Sequence, residues 1–464
     1  MSYADEFNSP PQATAAGSKG DAMGSVDAQY FGSYGSDFSV HRVMLSDAPR
    51  MAFYRSFYIQ NRELVANSIV IDVGAGTGLL SMWAAKLCKP LKVIAVEASP
   101  FSESLLHKVI ADNGFKDKIH VVGEKMEKFV MLHEFMKAAR LTEDDLQLCS
   151  RIIIVSEWMG FYLLHEGMLP SVLYARDLIL SGAATLFCGP EEAAEGHGGK
   201  DVLLVPDHAT IWIAPVQLTS WKEQRFLQFW KDATPNGELN MDSVGEAEAD
   251  QFLAAAVNPV VEVLPADSIL APPKELFTFD LLTLKASELM ELNERATFNF
   301  PSSGQQADWY LDGFAIWFDV SFRGLMSRKL LMSPKGSNEP VPRRDSAAGP
   351  LLRKPPAGGA SEEDCISIGS SMSDSSNHQA SFVTSSSSGG NHLTLRTGPM
   401  NSPTHWKQSI IMLPPDVRGT ISVKDQLAGS AMGAEVSMVA SSDADDVSSR
   451  CYQIGLELFD PAEY

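Results

Sequence analysis

Cysteine is scarce in this 464-residue chain: five residues, an odd and scattered number. That excludes a disulfide framework and points to a reducing compartment, cytoplasmic or nuclear, where thiols serve as small buried hydrophobes. Long apolar runs are lacking too. No stretch is long enough to span a bilayer, and the N-terminus has no apolar signal region, so no membrane contact is expected. Positive charge is in deficit, with 37 Lys and Arg against 58 Asp and Glu and a formal net charge of -21. This balance argues against nucleic acid as the main ligand and is compatible with a basic partner. What remains is ordinary globular composition, 45% hydrophobic and 20% charged, over a length that makes about two to three domains.

Large apolar residues are few in three segments. Residues 1–28 are dominated by Ala, Gly, Ser and Asp, with few large apolar residues, and read as a disordered tail. Residues 183–200, with "GPEEAAEGHGGK", read as a loop insertion. Residues from about 325 to 392 begin basic ("SRKLLMSPKGS", "VPRRDS", "LLRKPP") and end Ser-rich, a composition that builds no core. Between these segments the chain is patterned. From about residue 29 to 205, apolar strand-like runs ("SIVIDVG", "LKVIAVE", "KIHVVG", "RIIIVSE") alternate with helical stretches ("GLLSMWAAKLC", "FSESLLHKVIADNG"), the signature of a parallel α/β sheet. From "LLVPDHATIWIAPV" onward, with Pro206 near the join, the segments are strand-rich ("GFAIWFDVSF", "HWKQSIIML", "CYQIGLELF"), so residues 206–464 form a β-rich second domain. A more helical piece, about 222–257, interrupts it.

A glycine is also missing where a dinucleotide site would need one. "VIDVGAGTGLL" runs from a β-branched strand into an apolar helix, and Gly74, Gly76 and Gly78 allow a sharp turn and close approach to a ligand. The dinucleotide fingerprint G-x-G-x-x-G requires glycine at position 79, where Leu79 stands, so pyrophosphate is disfavoured. The next strand ends at Glu97, at the carboxyl edge where open α/β sheets bind ligands. Its carboxylate suits the two hydroxyls of a ribose. "KIHVVGEKME" brings Met126 and Glu127 to the same edge, and Glu127 suits an adenine amino group. A nucleoside without phosphate fits S-adenosyl-L-methionine as cofactor. Each acidic residue alone would read as a solvated strand end.

The stretch "SEWMGFYLLHEGML" follows the buried-strand run "RIIIV". Glu157 and Glu166 are held close together in apolar surroundings. Paired like charges in such a place are costly without a cation between them. A guanidinium, planar, always charged and carrying five donors, is the cation whose shape two carboxylates match. Structural salt bridges are the alternative reading.

Taken together, "YFGSY", "HRVMLSDAPR", "VIDVGAGTG", "VIAVE", "SEWMGFYLLHEGMLPSVLYARD" and "SPTHWKQ" closely resemble the protein arginine methyltransferases over most of residues 29–324 and 393–464. The resemblance implies a Rossmann-like methyltransferase domain followed by a β-barrel with a helical dimerisation arm at about 222–257, and a head-to-tail homodimer. It implies methyl transfer from S-adenosylmethionine to arginine in basic proteins, such as Arg-Gly-rich, RNA-binding or histone substrates. Carried over residue by residue, Glu157, Glu166, His405 and Asp47 are the catalytic group, with Asp47 pairing to His405. Tyr34, His41, Arg50, Asp72, Gly74, Gly76, Gly78, Glu97, Met126 and Glu127 are the cofactor group, with Arg50 on the methionine carboxylate. Tyr30, Met44, Met168 and Trp406 line the substrate pocket, and Tyr30 and Tyr34 fold over the cofactor. Met44 and Met168 match members that make asymmetric dimethylarginine. The segments 183–200 and 325–392 depart from the family pattern. A catalytically silent scaffold for a paralogous enzyme is the alternative, although Glu157, Glu166 and the glycine loop are intact; a methyltransferase for another nucleophile would need neither the two-glutamate loop nor the His405 loop.

Overall fold

The structure, a computed structural model, describes residues 38–187, 201–234, 237–256, 259–302, 309–324, 392–440 and 452–463. The expected tail at 1–28, Tyr30, Tyr34 and the Ser-rich 325–391 lie outside the described residues.

Two helices open the described chain, α1 (Phe38–Ser46) and α2 (Ala48–Gln60). Asp47 separates them and caps α2, its Oδ1 accepting from the Arg50 amide at 2.9 Å, and Pro49 sits in the first turn, where its missing N–H costs nothing. α2 buries a solid aromatic face, Phe53, Tyr54, Phe57 and Tyr58. Each such side chain stabilises by about 1.5–3 kcal/mol when taken from water.

The parallel sheet consists of β1 (Ile69–Val73), β2 (Lys92–Val96), β3 (Ile119–Val122), β4 (Arg151–Val155) and β5 (Asp201–Val205), in the order β3-β2-β1-β4-β5. The helices α3 (Leu79–Leu87), α4 (Pro100–Asp112), α5 (Leu132–Ala138), α6 (Glu143–Leu148) and α7 (Leu169–Phe187) connect the strands. The fold is therefore Rossmann-like, with β1 at the point where strand order reverses. Two expectations change. The sheet has five strands rather than the four read from the sequence: "DVLLV", at the end of the 29–205 segment, pairs with β4 in parallel register. Its run is buried almost throughout, and periodicity alone does not assign such a strand to one sheet or the other. The loop expected from residue 183 begins as helix, because α7 continues to Phe187; 188–200 lie outside the described residues.

Past a cis Val205–Pro206 bond, the strands turn antiparallel. β6 (His208–Val216), β7 (Val260–Glu262), β8 (Lys274–Asp280), β10 (Gly313–Phe322), β11 (Leu393–Arg396) and β12 (Gln408–Met412) form one sheet, and β9 (Glu291–Asn299), β13 (Ala431–Ala440) and β14 (Tyr452–Phe459) another. The sheets close into a barrel, with Phe298 of β9 against Phe314 of β10, ring centroids 5.7 Å apart. The helical interruption occupies residues 219–231 and α8 (Asp242–Ala255). Its apolar face, Trp221, Phe226, Ala249 and Leu253, shares one core with Val260, Trp317, Ile410 and Met412 of the barrel. α2 joins the two halves: Phe57 meets Phe322 at the end of β10 edge-to-face at 4.9 Å, and the Tyr54 hydroxyl donates to the Ser156 carbonyl at 2.9 Å.

Candidate active site

Four strand ends and one barrel loop converge at the carboxyl edge of the parallel sheet. After β1, Gly74 has φ +76°, and its amide and that of Ala75 both donate to the Val96 carbonyl at 2.9 Å. Gly76 and Gly78 are left-handed as well. A Cβ on Gly74 would lie 2.1 Å from Met168 Cε, the movable end of a flexible side chain, so it is the left-handed φ that calls for glycine there. That contact brings the glycine loop and the two-glutamate loop together.

Asp72, on β1, is buried. Its Oδ2 accepts from the Ser81 amide at 2.9 Å and hydroxyl at 2.7 Å, while its Oδ1 has no hydrogen-bond partner among the described residues. Burial pushes its carboxyl up to about 7 against the two Ser81 hydrogen bonds. Glu97 follows β2 and is 7% exposed; its Oε2 accepts from the Gly76 amide at 2.7 Å and its Oε1 from the Ser99 amide at 2.8 Å. Burial raises Glu97 too, and those backbone bonds oppose it. Each oxygen retains a lone pair for a ligand hydroxyl. Beyond β3, Met126 is buried, and Glu127 accepts a hydrogen bond from the Ser171 hydroxyl at the start of α7, a partner the sequence does not signal.

Glu157 follows β4. Its Oε2 holds the guanidinium of Arg50 through Nε at 3.0 Å and Nη2 at 2.7 Å, and its Oε1 accepts from the Met159 amide at 3.3 Å. Arg50 Nη1 donates to the Met44 carbonyl at 3.0 Å. Burial lowers the Arg50 guanidinium, but the charge and hydrogen bond of Glu157 outweigh it and raise it on balance. Arg50 is expected on a ligand carboxylate; here it lies on the carboxylate expected to take a guanidinium.

The loop 156–169 is a tight, partly left-handed turn. Gly160 and Leu163 form a bridge, and a Cβ on Gly160 would lie 1.9 Å from the His165 carbonyl oxygen. Tyr162, Leu163 and Glu166 have φ of 44°, 76° and 78°, conformations of the kind held at functional sites by surrounding packing. Glu166 is partly buried on the same turn. The Tyr162 hydroxyl is 3.1 Å from His165 Nδ1, whose imidazole burial lowers.

The loop before β12 closes the site. Asp47 Oδ2 accepts from the His405 amide at 2.8 Å and lies 2.6 Å from His405 Nδ1. Burial raises Asp47, but hydrogen bonds from the His405 ring and the Arg50 and His405 amides outweigh it and hold the carboxyl below its usual range. Trp406 is buried, and its indole N–H donates to the Met159 carbonyl at 2.7 Å, which pins the two-glutamate loop from the barrel side. Glu157, Arg50, Asp47 and His405 thus form one continuous chain. Met44 and His41 lie on α1, partly buried. Such a site can grip a guanidinium with carboxylates and pass a proton to a carboxylate or an imidazole.

Comparison with known proteins gives a consistent set. Residues 207–339 match the family model of the arginine methyltransferase oligomerization subdomain. The chain is 28% identical over 388 residues to the probable protein arginine N-methyltransferase 6.2 of Oryza sativa subsp. indica, spanning 83% of this chain and 77% of that protein. It is 35% identical over 298 residues to the probable protein arginine N-methyltransferase 3 of Arabidopsis thaliana, spanning 64% of this chain and 43% of that protein. Among solved structures, the crystal structure of PRMT6-SAH superposes with a TM-score of 0.65 at 28% identity, covering 91% of this chain and 100% of that one.

Proposed function

We propose that this chain is a protein arginine N-methyltransferase, a reading supported by the relatives and the oligomerization-subdomain match, and that it transfers methyl groups from S-adenosylmethionine to guanidinium nitrogens of protein arginines. The observation that carries the reading is the guanidinium already resting on Glu157: two nitrogens of Arg50 within 3.0 Å of one carboxylate oxygen. A substrate arginine presents the same planar fork.

The glycine loop fits the cofactor. Asp72 Oδ1 is a buried oxygen without a partner among the described residues, and a cationic nucleoside would offset the burial that raises Asp72. Glu97 would take the ribose, Met126 and Glu127 the adenine side, and Arg50 the carboxylate. Bound S-adenosylmethionine supplies an electrophilic methyl group on a sulfonium. Glu157 and Glu166 would draw positive charge onto the nitrogens they hold, leaving the third with lone-pair character. They would also fix that nitrogen at the about 3–3.5 Å required for attack. The proton released as the nitrogen is alkylated would go to a carboxylate, directly or through His405, which Asp47 keeps oriented.

Met44 and Met168 support asymmetric dimethylarginine as the product, and the product's identity by amino-acid analysis checks this. A homodimer is supported by the arm, on which Phe229 and Leu239 are 69% and 64% exposed. A cytoplasmic or nuclear location rests on the cysteine usage alone. The test of the reaction is labelled S-adenosylmethionine with an Arg-Gly-rich peptide beside its Lys counterpart. Label should enter the arginine peptide alone, and equal labelling of both would sink the assignment.

A further inference from the structure

Three consecutive residues of the loop before β12 leave in three directions. His405 goes to Asp47 at the start of α2, and Trp406 goes to Met159 in the two-glutamate loop. Lys407 goes to Glu262 on β7, with Nζ 3.9 Å from Oε2. Lys407 has φ +52°, a left-handed turn that a side chain with a β-carbon adopts only when something holds it, and its amide donates to the Thr404 carbonyl at 3.1 Å.

Glu262 is a buried carboxylate, its side chain 9% exposed, and a buried charge needs partners. It has two cations, one per oxygen: Lys407 on Oε2, and Arg225 of the arm with Nε 3.8 Å from Oε1. The side chains of Lys407 and Arg225 are 23% and 32% exposed, so solvent screens neither pair fully. Glu262 also stands opposite Gln408 in the β7–β12 register. The Gln408 side chain accepts from the Leu264 amide at 2.8 Å and donates to the Thr397 carbonyl at 2.7 Å, so the strand leaving the loop is clamped on both sides. The backbone at Lys407 is therefore a turn between a fixed strand and His405, and Glu262 holds the side chain of that turn by its ammonium.

We propose that Glu262 is a positioning residue: by bridging Arg225 of the arm and Lys407, it holds the Thr404–Trp406 loop so that His405 stays on Asp47, and it makes the arm part of the active site's support. Glu262 touches no reacting atom. Its effect passes through the loop to His405, and the proposal rests on His405 serving catalysis in the manner given above.

The test uses full-length Glu262→Gln, Lys407→Met, the double variant and Lys407→Arg. Six properties are read: kcat and KM on an arginine peptide, S-adenosylhomocysteine affinity by calorimetry, oligomer mass, melting temperature, and amide hydrogen exchange at residues 404–407. Glu262→Gln and Lys407→Met should each lower kcat about tenfold, the double variant no further than either single change. KM, mass and cofactor affinity should hold, melting should fall by no more than a few degrees as a buried partner is lost, Lys407→Arg should retain turnover, and exchange at the His405 amide should quicken about tenfold as its bond to Asp47 opens. Additive losses, a kcat within twofold of the parent, or a loss matched by falling mass or by melting at the assay temperature would overturn the proposal. Hydrogen exchange does not depend on turnover. If the parent methylates no peptide, quickened exchange in Glu262→Gln upholds the linkage while the reaction assignment fails, and unchanged exchange removes the linkage itself.

Discussion

At the scale of single residues, Glu157 carries the sharpest expectation. With its carboxylate replaced by an amide, Glu157→Gln should lower turnover about a hundredfold or more, because a charged acceptor is lost where charge develops. Cofactor affinity should not fall. Arg50 would be released from Glu157 and left to any ligand carboxylate, so binding of S-adenosylhomocysteine should hold or tighten in calorimetry while turnover collapses; substantial residual turnover would remove Glu157 from its role. Glu157 and Glu97 could be read from the chain alone because each ends a buried strand run, and the carboxyl edge of a parallel sheet is where ligands bind. Asp47 and His405 could not: they are 358 positions apart, and only the family resemblance joins them. The partner of Arg50 was not legible either, since no local pattern says which of several nearby carboxylates a buried guanidinium will take.

At the scale of elements, β10 contains a partly buried carboxylate with a defined pH signature. Asp319, on β10, is pushed up to about 7 by burial, with Arg396 of β11 at 3.7 Å opposing. Its folded value lies above the ordinary 3.8. The folded state therefore binds a proton the unfolded state has lost, and this group's contribution to stability falls as pH rises from about 4 to 7. Asp319→Asn should flatten that part of the stability profile and raise the melting temperature at pH 7.5 while changing it little at pH 4.5. An unchanged slope in denaturant titrations across that range would show that another group sets it. Element identity was well signalled where strands alternate with helices; at the join, "DVLLV" falls inside the 29–205 segment but was not singled out as a strand, because its run is apolar on both faces. The arm showed as a helical interruption, but that its Trp221 and Phe226 share a core with β7, β10 and β12 is a tertiary fact with no local signal.

At the scale of the molecule, the long Ser-rich segment leaves and returns at one place. Phe322 and Leu393 are direct partners in the β10–β11 ladder, so the described residues on either side of 325–391 already lie side by side. Deleting 330–390 and joining the ends with a short Gly/Ser linker should leave melting temperature and turnover on a short peptide largely unchanged, because loop closure costs grow only slowly with length. A fall of many degrees would mean that the segment packs, and a large loss of turnover at unchanged melting would mean that it shapes the His405 side of the site. The segment's composition was plain in the sequence; that the strands flanking it pair in one antiparallel ladder was not. In evolutionary terms, a paired rung uncouples the length of what lies beyond it from selection on catalysis. Serines, basic clusters or a whole reporter domain can be gained or lost there in one genetic event, with no compensating change in the sheet that carries the chemistry.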